Sequence, residues 1–422
     1  MPRMTHMADA GMGYGPFPAQ IEFFRRKLNV PSARWDDLMH GDHAHGFMVA
    51  GLTRMSMLDE VRQAMMAAIE NGESYEKFRA RFDKSVGKAW STLRGGETEA
   101  GRAWRTRLIY QTNLRTSYMA GRWETLQKYP YLKYQHNTVD NPRESHQALD
   151  GKIIPTRDPW WDTHYPPNGW MCRCTVTGVS EARLRAMRGA DAQPDAPPPT
   201  DPKDPPPEWA YHVGKASRSM AAAERFGQKV MQLPPAWRKA VLDDAQGRQV
   251  DWMRDWAATV DRANAEAQAG PGQQRPRGRG QPIGFLTDAE VNRLAEHGIA
   301  PATALLAAGD DTIYHALRLD KFRGREHLRE LFAEQVKQIP RWRDTPGSYV
   351  SVLDIAYPDT PKILVIRKIS DGQYMRMVLA INDRRRYSRE NITVQAVDTI
   401  EIADLDALRR YRVIEGRWED LE

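Results

Sequence analysis

Between Lys133 and Ser180 the chain reads KYQHNTVDNPRESHQALDGKIIPTRDPWWDTHYPPNGWMCRCTVTGVS, and Pro142, Pro155, Pro159, Pro166 and Pro167 leave no room for a lasting helix. Proline removes a backbone donor and clashes with the preceding turn. A long irregular stretch is also unusual inside a compact domain. The block is therefore expected to be loops and short strands, held by something other than a regular hydrogen-bond ladder. It contains both cysteines of the chain, Cys172 and Cys174. Two thiols this close cannot build a disulfide framework, so they are free, redox-active or metal-bound, and synthesis in a reducing cytoplasm is expected.

A zinc site needs deprotonated sulfur or neutral imidazole donors that converge tetrahedrally. His146, His164, Cys172 and Cys174 are four suitable donors within this block, which makes zinc the candidate cofactor. Against this, CxC is a less usual spacing than CxxC. The competing arrangement has the cysteines alternating along a strand while His146 and the tryptophans pack around proline turns. His43 and His45, two residues apart, fall on different sides of a helix and suit capping or surface roles better than a shared metal.

Periodicity organises the rest of the chain. The 422 residues predict several domains. The expected fold class is multi-domain and mainly α, with a loop-rich core and a C-terminal α+β domain carrying a small antiparallel sheet. Residues 1–100 read as a helical N-terminal region, with an amphipathic stretch from Gln20 to Leu28 stopped by Pro31 and a second from Asp37 to Phe82 broken near Asn71-Gly72. Residues 101–185 form the core, opening with one long helix over Trp104 to Leu126. A Pro-rich linker follows at 186–214, a helical segment at 215–269, interrupted at Pro234-Pro235, and a Gly/Arg linker at 270–280. That second linker carries Arg275, Arg277 and Arg279, as a solvated hinge or a tether touching nucleic acid. Residues 281–422 are the α+β domain, with helices over Thr287–His297 and Ile313–Val336. Strands follow over Tyr349–Ile355, Lys362–Ile369, Tyr374–Asn382 and Asn391–Val397, with a hairpin turn at Asp371-Gly372.

The ordered string TNLRTSYMAGRW (Thr112 to Trp123), Asp140, Arg143, His146, LDG (Leu149 to Gly151), DPWW (Asp158 to Trp161) and PPNGWMCRC (Pro166 to Cys174) resembles the Mu F-like minor head proteins of the phage head morphogenesis family. The likeness extends less sharply to FFRRKLNVP and to EWAYHVGK at Glu208 to Lys215, and so covers about the first half of the chain. It implies a minor structural protein of the virion, needed for head morphogenesis and placed near the portal. Its implied partners are the portal protein and the major capsid protein, with phage DNA or RNA as a further contact. Synthesis in the host cytoplasm and residence in the head are what the resemblance implies. No run approaches the roughly 18 apolar residues of a membrane span, so no membrane partner is expected. GxxxxGK[ST], GxSxG and HExxH are absent, which leaves that region without a catalytic motif.

The C-terminal domain offers a second reading. RNA cleavage without metal needs a base, an acid and cations near the phosphorane. His315, Arg318 and Lys321 would share a helix face and supply that set. Helices followed by a small sheet resemble the barnase, EndoU, colicin and RelE-like nuclease domains, which implies a ribonuclease or toxin carried by the particle. The plainer alternative is a solvated basic face. Arg384, Arg385 and Arg386, expected in a loop between the last two strands, suit phosphate or RNA contact, or a protein-docking loop. The net charge of +6 permits nucleic acid without requiring it.

Overall fold

A computed structural model describes residues 15–87, 96–137, 141–199, 203–248, 250–270, 273–343, 349–354, 361–387, 389–403 and 405–421. Contacts divide the chain into two units, Met1–Arg218 and Ser219–Glu422.

In the first unit Pro18 opens α1 (Pro18–Arg25), where its missing N–H costs nothing. Two short strands, β1 (Leu28–Asn29) and β2 (Gly46–Phe47), pair in parallel. The expected helix over Asp37–Phe82 holds only from α2 (Met55–Asn71) onward, because His40–Ala44 forms a 3-10 turn and Gly46-Phe47 a strand. Gly72 ends α2 at φ +61°, and Ser74 caps α3 (Tyr75–Val86). The long central helix α4 (Glu99–Leu126) begins earlier than its apolar period predicts, because Thr98 caps it. α1 crosses α4 at Gly121, where a Cβ would lie 2.6 Å from the Gln20 backbone nitrogen.

After α4 the proline-rich block forms a three-stranded antiparallel sheet in the order β4-β3-β5: β3 (Tyr131–Gln135), β4 (Ile153–Pro155) and β5 (Thr175–Val179). Short helices α5 (Glu144–Ala148) and α6 (Trp161–His164) fill the connections, and α7 (Glu181–Arg188) and α8 (Val213–Ala216) follow. The stretch expected as a linker at 186–214 is fastened at both ends. Asp195 exchanges backbone and side-chain bonds of 2.7 Å with Ile153, and Arg188 pairs with Asp195 at 2.8 Å. Trp209 and His212 are buried. The core of this unit gathers Phe24, Phe47, Phe78, Phe82, Trp161 and Tyr165.

In the second unit α9 (Met220–Gln232), α10 (Pro235–Gly247) and α11 (Val250–Gln268) precede β6 (Gly280–Phe285), α12 (Asp288–Glu296), β7 (Leu305–Gly309), α13 (Asp310–Ala316) and α14 (Glu326–Lys337). The sheet is completed by β8 (Tyr349–Asp354), β9 (Lys362–Ser370), β10 (Gln373–Tyr387), β11 (Glu390–Ala403) and β12 (Arg412–Glu415), with α15 (Leu405–Leu408) between the last two. The four expected strands are present, but the sheet is larger and mixed. Its seven strands run β12-β8-β9-β10-β11-β7-β6, with β7 parallel to β11. β6 and β7 were missed because β7 (LLAAG) is buried at every position and so lacks alternation. α9 packs on β11, and α10 and α11 pack on β6.

The tether at 270–280 is held, not solvated throughout. Buried Asp310 accepts from the backbone N–H groups of Arg277 at 2.8 Å and Arg279 at 3.0 Å. No helix among the described residues is long and apolar enough to cross a membrane.

Candidate functional site

The antiparallel register of β3 and β5 places Gln135 opposite Thr175, so the residues just beyond, His136 and Cys174, face each other. His136 Nδ1 lies 3.4 Å from Cys174 Sγ. α5 carries His146 into the same place, with Nδ1 3.7 Å from Cys172 Sγ and 3.6 Å from Cys174 Sγ. One ligand atom each from His146, Cys172 and Cys174 lies within 4.8 Å of the other two, and all three residues are buried.

The sequence motifs around this cluster act as its scaffold. Asp150 of LDG accepts from the His136 backbone N–H at 2.8 Å, and Gly151 takes φ +77°, a conformation that favours glycine. Asn137 donates to the Arg173 carbonyl at 2.6 Å, which ties the end of β3 to the CxC segment. Arg143 donates to the Trp170 carbonyl at 2.8 Å and lies over Gly169, where a Cβ would sit 3.3 Å from the guanidinium carbon. Buried Arg115 of α4 donates to the carbonyls of Met171, at 3.0 Å, and Cys172. Burial first, then Arg173, lowers its pKa to about 10. Asp140, the acidic residue of the matched string, lies outside the described residues.

His164 was expected in the cluster and serves elsewhere. Its Nδ1 contacts Thr163 Oγ1 at 2.7 Å and the Trp160 carbonyl at 3.2 Å, and its ring stacks on Trp160 at 4.3 Å. The donor that sequence reasoning missed is His136, which stands in the same proline-rich block and is brought to the cysteines by the register of β3 with β5. Electrostatics favour a single shared negative charge on the thiols. The Cys172 thiol is pushed well down by hydrogen bonds from Cys174 and His146 against burial, and Cys174 is held up as its partner. The His146 imidazole is raised, its burial outweighed by Cys172 and Asp204.

A second feature of this unit is Lys27 of FFRRKLNVP. It lines a cleft with Trp35, His43, Thr116, Trp170 and Trp209, yet is only 3% exposed. Burial first and Arg62 second bring its pKa down to about 7.

In the C-terminal unit the structure changes two expectations. His315, Arg318 and Lys321 do not share a helix: α13 ends at Ala316, Arg318 is extended with ψ 136°, and Lys321 lies in the 3-10 turn Leu319–Phe322. The three are still close enough that Lys321 and Arg318, after burial, lower the His315 pKa, and Glu401 acts in the opposite sense. Glu401 is ion-paired with Arg376. Arg318 pairs with Asp320 at 3.0 Å. Arg384, Arg385 and Arg386 lie on β10, not in a loop, because the strand continues opposite Asn391–Val394. Arg385 is bound to Asp383 and Asp398 at 2.6 Å each, whereas Arg384 and Arg386 alternate onto the exposed face.

Residues 59–177 match the family described as Phage Mu protein F like protein. Over 180 residues the chain is 32% identical to the putative capsid assembly protein F of Escherichia phage Mu, covering 40% of this chain and 41% of that protein. It is 35% identical over 161 residues to the Mu-like prophage FluMu F protein of Haemophilus influenzae, covering 36% and 39%. The chain thus spans about two fifths of the length of these relatives. No solved structure matches.

Proposed function

We propose that this chain, similar over residues 59–177 to Phage Mu protein F like protein, is an assembly protein of a phage head, carried in the virion close to the portal. The observation that supports this most is that one unit contains the whole match. The matched segment falls wholly inside the first unit, and among the described residues each motif quoted from it contributes a contact within that unit. Arg115, Arg143, Asp150, Asp158 and Asn168 all hold backbone in place: Asp158 accepts from the Trp160 N–H at 2.8 Å, and Asn168 donates to the His164 carbonyl at 3.0 Å. Residues used this way hold irregular backbone in one conformation and make the unit's surface rigid. The relative named a capsid assembly protein supplies the biological setting. The portal protein and the major capsid protein are the partners this reading takes.

The test is genetic. Loss of the gene should leave the other structural proteins expressed while filled heads fall sharply, and normal heads without it would overturn the reading.

A second reading concerns the C-terminal unit alone. His315 lies within electrostatic reach of Lys321, of the Arg318–Asp320 pair and of Glu401, which is paired with Arg376. This supports a metal-independent ribonuclease, in which His315, its pKa lowered, is neutral near pH 7 and accepts the 2′-hydroxyl proton. RNA cleavage by the full chain, abolished by His315→Ala, is the expected result; no cleavage of any RNA removes it.

A further inference from the structure

We propose that His136, His146, Cys172 and Cys174 bind one zinc ion that locks the loop-rich part of the first unit. Zn–S and Zn–N bonds of about 2.3 and 2.0 Å at tetrahedral angles separate a sulfur from a nitrogen donor by about 3.6 Å. Three of the four sulfur–nitrogen pairs are 3.7, 3.6 and 3.4 Å apart, and His146, Cys172 and Cys174 lie within 4.8 Å of one another, with His136 in contact with Cys174. These donors come from three places in the chain: the end of β3, helix α5 and the CxC segment before β5. One ion would therefore tie together the segments that proline keeps from regular pairing.

The surroundings fit a metal better than a bare cluster. His146 presents Nδ1 to both sulfurs, and its other nitrogen, Nε2, buried without a hydrogen bond, lies 3.4 Å from the Asp204 carboxylate, close enough for a small shift of either side chain to join them. A ligating imidazole characteristically passes its second N–H to a carboxylate, which fixes the ring and raises its basicity. The Asp150 bond to the backbone of His136 fixes the fourth donor. Two thiolates and two neutral imidazoles around Zn2+ leave no net charge, so the centre avoids the cost of burying an isolated ion. Binding releases to solvent the proton that the two thiols still share.

Full-length protein purified without chelator should carry about one zinc per chain, and cobalt in its place should give thiolate charge-transfer bands and the visible spectrum of a tetrahedral ion. Chelation should lower the melting temperature of the first unit. Cys172→Ser and Cys174→Ser should abolish binding. Because those variants can fail to fold, two milder ones decide the matter. Asp204→Asn should weaken zinc affinity by about 10- to 100-fold. His136→Ala should also weaken it, while His136→Cys restores a four-donor site. His164→Ala should keep its zinc. Folded full-length protein that takes up neither zinc nor cobalt and exposes two ordinary thiols on unfolding would overturn the proposal. So would a chain in which His164→Ala loses the metal and His136→Ala keeps it.

Discussion

Lys27→Met is expected to stabilise the first unit at neutral pH. The Lys27 ammonium lies over the rings of Phe23 and Phe24, 4.9 and 5.7 Å from their centroids, in a nearly closed environment that Arg62 also faces. Its pKa falls from 10.5 to about 7 on folding. The unfolded chain therefore holds a proton that the folded chain holds only in part at pH 7. Over a gap of this size the fold loses about 4 kcal/mol at pH 7, at roughly 1.4 kcal/mol per pH unit. The sign follows from linkage: between about 7 and 10.5 the unfolded state binds more protons, so stability rises with pH through that window. Methionine removes the titration and retains most of the volume. It forfeits cation–π contacts of about 1 kcal/mol each and up to about 1.5 kcal/mol of repacking. A net gain of about 0.5–2 kcal/mol at pH 7 should remain, shrinking to nothing or reversing near pH 10. Urea unfolding of the full chain at both pH values, with hydrogen exchange read on peptides of α1 and α4, isolates this unit from the other. Equal destabilisation at both pH values would show that Lys27 is charged and solvated in the fold, and would refute the reasoning.

Arg343→Met should destabilise the second unit by about 3–5 kcal/mol, because Glu290, with a fully buried side chain, loses the guanidinium 2.6 Å away; chemical denaturation reads the change. Gly121→Val should break the α1–α4 crossing, since the backbone of Gln20 cannot give way, and exchange protection of α1 should fall first. The paired change Arg384→Ala with Arg386→Ala should leave the melting temperature within about 1 °C, as surface changes cost little. If the C-terminal unit touches RNA, that pair should flatten the salt dependence of binding. Arg385→Ala should instead lower stability by leaving Asp383 and Asp398 facing each other.

The sequence exposed the helices and the hairpin because their signals are local. The break at Asn71-Gly72, the long helix through Leu126 and the turn at Asp371-Gly372 each depend on residues within a few positions. The misplaced features depend on distant partners. His136 joins the cysteines through pairing of β3 with β5, nearly forty residues away, and that register is invisible to spacing within one block. His164 has the right chemistry but is stacked on Trp160. The arginines of β10 read as a loop because a charge run resembles a turn, yet β11 supplies the pairing and Asp398 the counter-charge. The Pro-rich stretch reads as an extended linker because nothing in its composition announces that Asp195 will bond Ile153.

If the first unit is a rigid head-assembly module, head yield in a phage lacking this gene depends on the fold of that unit in the chain supplied to it. Filled and empty particles would be counted by electron microscopy with the full chain supplied in trans, as wild type or with Trp161→Ala. Trp161 is fully buried and its Nε1 donates to the Pro155 carbonyl at 3.1 Å, so the substitution should cost about 3–5 kcal/mol in that unit. Wild type should restore filled heads, while Trp161→Ala should fail although the protein is made. Filled heads at normal yield without the gene, or full rescue by Trp161→Ala despite a measured loss of the first unit's fold, would contradict this role.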